Sequence, residues 1–158
     1  MAQNENELLV ARFYTAFQNK DVAGMQACYA DDVVFTDPAF GTLHGDAAKQ
    51  MWAMLLSRGT DLSIDFSDVK DNGQTVTANW NAYYAYGPKK RKVHNKIQAH
   101  FWLEGGLIVH HVDRFDLWKW SRQALGPMGF VLGWSAYFKQ KLQSKTRAML
   151  KKYMAQKA

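Results

Sequence analysis

Between Leu62 and Leu117 the chain carries four strand-like runs, at 62 to 69, 75 to 86, 93 to 103 and 107 to 117, with no helical segment among them. The breaks are Asp71-Asn72-Gly73, Gly87-Pro88 with Lys89-Lys90-Arg91-Lys92, and Gly105-Gly106, which reverse a chain within a few residues. Connections this short join antiparallel neighbours, because parallel neighbours need a crossover of a dozen residues or more. The segment therefore builds an antiparallel meander, and its apolar face requires a cover.

The cover lies upstream. Leu8, Leu9, Ala11, Phe13, Ala16 and Phe17 recur at helical spacing. Asp21 caps a short second helix through Met25, Ala27 and Tyr29, and Gly45-Asp46 opens a third through Met51, Trp52, Met54 and Leu55. Between them Val33-Val34-Phe35-Thr36 reads as a strand that Asp37-Pro38 ends, leaving the Asp37 carboxylate at the strand mouth. The expected class is α+β, with three N-terminal helices on one face of a curled antiparallel sheet and an additional C-terminal helical extension. A length of 158 residues fits one domain, and 47% hydrophobic residues supply its core. The lone Cys28 forms no intrachain disulfide, and MAQNENELLV lacks the pattern of a secretory signal, so the cytoplasm is the default expectation.

The stretch from Tyr29 to Pro38, YADDVVFTDP, followed by Gly45 at a helix start, resembles the SnoaL-like and ketosteroid isomerase group of the nuclear transport factor 2 fold. The resemblance covers about residues 5 to 117 and implies a cone-shaped sheet with a pocket, a homodimer and no cofactor. It assigns 1–117 to the SnoaL-like domain, whereas 118–158 departs from the family pattern and reads from its own residues as a basic, aromatic-rich helical extension packed on the same domain or a dimer mate. The isomerase base is an aspartate in an Asp-Pro pair, which is Asp37 here. Its two oxyanion donors fall on Phe13, with Tyr14 beside it, and on Ala99, so neither donor is present. A base without donors forgoes much of the rate enhancement, which argues against steroid isomerisation itself. The group also contains cyclases, epoxide hydrolases, dehydratases and non-catalytic binders, so fold alone does not choose among them.

With Ala99 facing the pocket, alternation turns Ile97, Phe101 and Leu103 inward, and strand matching adds His111, Asp113 and Phe115. Asp37, His111 and Asp113 are then the candidate catalytic groups. Phe13, Tyr14, Phe35, Trp52, Trp80, Tyr84, Phe101 and Phe115 are the candidate ligand-binding walls around a small hydrophobic molecule. Burial raises a carboxylate pKa and a nearby imidazolium lowers it, so these groups suit proton transfer next to a carbonyl or protonation of a leaving group. Asp37 equally suits a turn, and His111 with Asp113 equally suits a satisfied core pair. Alternation splits His110, His111, Asp113 and Asp116 between two faces, and no zinc spacing occurs, so no metal site is expected.

Charge divides the chain. Residues 1–116 hold 14 acids and 11 Lys or Arg, a net of −3, whereas 117–158 hold nine bases and no acid. The 16 uncharged residues between Arg122 and Lys139 fall short of the ~20 that span a bilayer. Beyond Gly133, Trp134, Tyr137, Phe138, Leu142, Met149, Leu150, Tyr153 and Met154 alternate with lysines. Such a helix can pack on its own domain or a dimer mate, or lie on an anionic membrane with Trp118, Trp120 and Trp134 near the headgroups. No nucleic-acid motif accompanies the charge, which disfavours that partner.

Overall fold

The computed structural model describes residues 4–58 and 61–157. Helix α1 (Glu5–Gln18) starts on a capping box, in which Asn4 Oδ1 accepts the Glu7 N–H at 2.8 Å and Glu7 Oε1 accepts the Asn4 N–H. Asp21 caps α2 (Val22–Ala27) through the Gly24 N–H at 2.9 Å. Then follow β1 (Tyr29–Asp37), β2 (Gly41–His44), α3 (Asp46–Arg58), β3 (Ser63–Asp71), β4 (Val76–Tyr86), β5 (Arg91–Glu104) and β6 (Leu107–Arg114). The chain continues through α4 (Leu117–Leu125), α5 (Pro127–Leu132) and α6 (Ala136–Lys157).

The six strands form one curled, unclosed sheet in the order β2-β1-β6-β5-β4-β3. Strands β3 to β6 are the antiparallel meander expected from the turn signals. The sheet is nevertheless mixed, because β1 lies parallel to β6. Its short antiparallel partner β2 arises because Pro38 sits in a turn and does not end the sheet. Asp37 Oδ1 accepts the Ala39 and Phe40 N–H groups there, and Gly41 (φ +73°) completes the reversal. Consecutive strands β2 and β3 occupy opposite sheet edges, so α3 has to cross a sheet face to join them.

That face carries the core. Phe13, Tyr14, Phe35, Phe101, Met51 and Met54 are at most 1% exposed. Burying a ring or methionine of this kind stabilises the fold by about 1.5–3 kcal/mol. The alternation expected on β5 and β6 is present: Ala99 pairs with Asp113 and Phe101 with His111, and all four are buried. Trp102 faces outward and stacks on His110 at 4.7 Å.

The C-terminal segment packs on its own domain. Leu150, Met149, Tyr153 and Met154 join the main core, while Phe138 and Leu142 join a second cluster with Val93, Trp120 and Ala124. Gln143 Nε2 donates to Pro38 O at 3.1 Å and Thr146 Oγ1 to Ala39 O at 2.8 Å. Among the described residues, no helix is long and apolar enough to cross a membrane.

Candidate active site

A cavity of about 320 Å³ lies between the sheet, α3 and the C-terminal helices. Strand alternation supplies one wall, with Trp80, Ala82 and Tyr84 from β4 and Asn95 and Ile97 from β5. Helical spacing supplies another, with Met51, Met54, Leu55 and Arg58 from one face of α3. Helix α6 closes a third side with Leu142, Lys145, Thr146 and Met149, and Trp120 of α4 reaches the same space.

Three carboxylates interrupt this mostly apolar lining: Asp37 at the end of β1, Asp113 near the end of β6, and Asp61 just before β3, whose Oδ2 accepts the Ala85 N–H at 2.8 Å. Among the described residues, the hydrogen bonds to Asp37 fall on Oδ1, from Ala39 N at 3.0 Å and Phe40 N at 2.6 Å, and Oδ2 accepts none. Burial is the main reason that the Asp37 pKa is pushed up to about 7, and the charge of Asp113 adds to it. The N–H groups of Phe40 and Ala39 pull in the opposite direction. Asp37 is thus both a turn acceptor and a carboxylate balanced between two proton states near neutrality.

Asp113 is only 3% exposed, and its Oδ1 receives His111 Nε2 at 2.8 Å and Trp80 Nε1 at 3.4 Å. Behind it His111, fully buried, meets the Tyr29 hydroxyl through Nδ1 at 2.7 Å, and Trp52 Nε1 donates to that hydroxyl at 2.8 Å. Counting donors assigns the tautomer. The Tyr29 oxygen takes the Trp52 proton and its own O–H goes to His111 Nδ1, so the imidazole N–H sits on Nε2 and points at Asp113. Burial holds the Tyr29 phenol well above its usual pKa, which keeps that O–H in place. The chain Trp52–Tyr29–His111–Asp113 therefore fixes one carboxylate oxygen and leaves the other without a hydrogen bond among the described residues.

Tyr84 and Asn95 supply further polar groups. The Tyr84 hydroxyl accepts from Trp120 Nε1 at 2.6 Å, and burial pushes its pKa up to about 12, so its proton is available to an acceptor in the cavity. The Asn95 side chain is nearly buried, lines the cavity and makes no hydrogen bond among the described residues.

The sequence-derived candidates thus divide in two. Asp37, Asp113, Trp52, Trp80, Tyr84 and Phe115 line the cavity. His111 stands behind the wall and is linked to the cavity through its hydrogen bond to Asp113. Phe13, Tyr14, Phe35 and Phe101 do not reach the cavity and form the packed floor beneath it. Phe13 alone touches Tyr29, Trp52, Phe101 and His111, with ring centroids 5.3 to 6.1 Å apart, and so leaves no room for a ligand. Tyr14 stacks on Phe66 at 5.3 Å, and its buried hydroxyl has no hydrogen-bond partner among the described residues. Trp120 is a cavity residue and not a surface anchor. Asn95 was legible, being two residues before inward-facing Ile97 in a regular strand. Arg58, Asp61, Lys145 and Thr146 carried no comparable signal.

Three solved structures show the same fold at low identity. An NTF2-like protein of unknown function from Burkholderia pseudomallei is 21% identical, with a TM-score of 0.68 over 77% of this chain and 98% of that one. An LEH-like epoxide hydrolase of M. tuberculosis is 22% identical, with a TM-score of 0.63 over 80% and 92% of the two chains. TerC, co-crystallised with polyporic acid, is 16% identical, with a TM-score of 0.63 over 72% and 92%. No curated protein matches the chain. A match to the SnoaL-like domain runs over residues 10–111, from α1 into β6, and with that extent the chain belongs to the SnoaL-like domain family.

Proposed function

We propose that this protein takes a small hydrophobic molecule, of carbonyl or polycyclic type, into its cavity and performs cofactor-independent acid/base chemistry on it as an isomerase, cyclase or hydrolase. The observation that carries this reading is the placement of Asp37 and Asp113 on one mostly apolar cavity, with Asp37 raised to about 7. A carboxylate at that pKa takes a proton from carbon next to a carbonyl and returns it near neutral pH. The negative charge that develops on the substrate oxygen needs donors, and the isomerase positions are filled by Phe13 and Ala99, which offer none. Tyr84 and Asn95 are the donors available on this wall. Asp113, facing Ala99 across β5 and β6, is the second proton-transfer group, oriented by His111 and Trp80.

The test uses a polycyclic β-diketone as probe. Quenching of Trp52, Trp80 and Trp120 reports its binding, and mass spectrometry reports deuterium uptake at its α-carbon. The expected result is binding with exchange that rises through pH 7, falls on the order of 100-fold in Asp37→Asn and about tenfold in Tyr84→Phe. Binding without exchange above buffer would refute catalysis of this kind. It would favour the second reading, a ligand-binding or assembly module, which the turn role of Asp37 Oδ1 and the two unfilled donor positions support.

A further inference from the structure

Met128, Phe130, Val131, Leu132, Trp134 and Tyr137 are six large side chains within ten positions, each 50 to 73% exposed. Their exposure follows from how α5 is seated. An added Cβ at Gly129 would overlap the Ser121 carbonyl oxygen, and one at Gly133 the Ser121 hydroxyl, so both glycines lie flush on α4. The Ser121 hydroxyl, whose nearer acceptor is Trp118 O at 2.8 Å, also lies 3.2 Å from Gly129 O where the two segments meet. With the glycine side turned inward, the large side chains of this short helix face solvent. A helix folded only to complete the domain's core would present the opposite side.

Cations lie beside the patch, and the segment that carries it holds no acid. Residues 117–158 hold nine Lys or Arg and no Asp or Glu. Lys141 Nζ lies 5.5 Å from the centre of the Tyr137 ring, and Arg122 lies 4.2 Å over the Trp118 ring, whose N–H donates to Phe130 O. Pairing two copies through this patch would bring two such basic segments together. An anionic lipid surface satisfies both features at once, since acyl chains accept the apolar side chains and headgroups the cations.

We propose that the segment from Met128 to Tyr137, with Lys139 and Lys141, docks the protein peripherally on anionic membranes. The docked segment lies between two helices that both line the cavity, through Trp120 before it and Leu142 after it.

The experiment is co-sedimentation of the full chain with vesicles of phosphatidylcholine alone or with 30% phosphatidylglycerol (about one lipid in three), together with Trp134 fluorescence. Binding is expected to the mixed vesicles only, to weaken as salt rises, and to shift the fluorescence to the blue. Phe130→Ser/Trp134→Ser should weaken it on the order of ten- to a hundredfold. Lys139→Gln/Lys141→Gln should weaken it roughly fivefold per lysine. These side chains are mostly solvent-exposed, so unfolding midpoints close to the parent's confirm that the variants fold. The proposal is overturned by failure to bind mixed vesicles, by serine variants that bind as well as the parent, or by binding that ignores lipid charge. Concentration-dependent oligomers abolished by Phe130→Ser/Trp134→Ser, with no lipid binding, would overturn it in favour of self-association.

Discussion

Replacing Asp37 with asparagine separates the charge of this carboxylate from its shape. Asparagine keeps an Oδ1 for the Ala39 and Phe40 N–H groups, so the turn that carries the residue stays closed. Only the ionisable group is lost. In the wild type the pKa rises from 3.8 in a free chain to about 7 in the fold. The folded state therefore holds a proton between those values that the unfolded state has released, and stability falls as pH rises from about 4 through 7. Three units correspond to about 4 kcal/mol, an upper value because the cavity admits solvent, and about 2–4 kcal/mol is the working range. Urea unfolding of both proteins from pH 4 to 9 isolates this quantity, since every other titrating group is common to the pair. The Asp37→Asn variant should match the wild type near pH 4 and exceed it by about 2–4 kcal/mol above pH 8. In thermal melts the gain is roughly 2–4 °C per kcal/mol. Stability profiles that run parallel across the whole range would refute a raised Asp37 pKa, and with it the argument that this carboxylate is adapted to neutral-pH proton transfer.

Two further substitutions test the network and its cover. Tyr29→Phe removes the oxygen shared by Trp52 Nε1 and His111 Nδ1, leaving two buried polar atoms unpaired at about 1–3 kcal/mol each. Chemical unfolding should therefore show a loss of about 2–5 kcal/mol, and a loss below about 1 kcal/mol would mean that the pair is not closed as described. Thr146→Val keeps the shape of a side chain that lines the cavity but deletes its bond to Ala39 O. The expected cost is only about 1 kcal/mol in stability, with a measurable shift of the apparent pKa in the rate profile, because Ala39 lies in the turn that holds Asp37. An unchanged profile would show that α6 covers the cavity without positioning its acid.

Periodicity reports which face a side chain occupies, but not how deep under that face it lies, and the legibility of this chain follows that division. On β5 and β6 the inward set Ile97, Ala99, Phe101, His111 and Asp113 was readable from alternation alone, and the irregularity between Trp102 and Leu103 left it intact. The same alternation could not separate Phe101, sealed in the floor, from Trp80 and Tyr84, which reach the cavity. That distinction depends on how far α1 and α3 stand from each strand. Pairing between distant segments was equally hidden. The β1–β6 contact joins residues that are far apart in sequence, and β2 has only four residues after a proline that reads as a stop.

The C-terminal segment is where local reading and family resemblance both gave out, and for one physical reason. The SnoaL-like match ends at His111, so the family pattern does not describe Trp120, Leu142, Lys145, Thr146 or Met149, all of which border the cavity. The amphipathic pattern placed Trp134, Tyr137, Phe138 and Leu142 together, whereas the fold sends the last two inward and leaves the first two 73% and 69% exposed. A single run of aromatic and basic residues thus serves two surfaces. One side completes the cavity and holds the turn of Asp37 through Gln143 and Thr146, while the other remains open to solvent. Residues beyond the family match thus complete a cavity wall that Trp52, Trp80 and Tyr84 begin, and relatives that possess the Asp37 carboxylate but lack this segment would not present the same site.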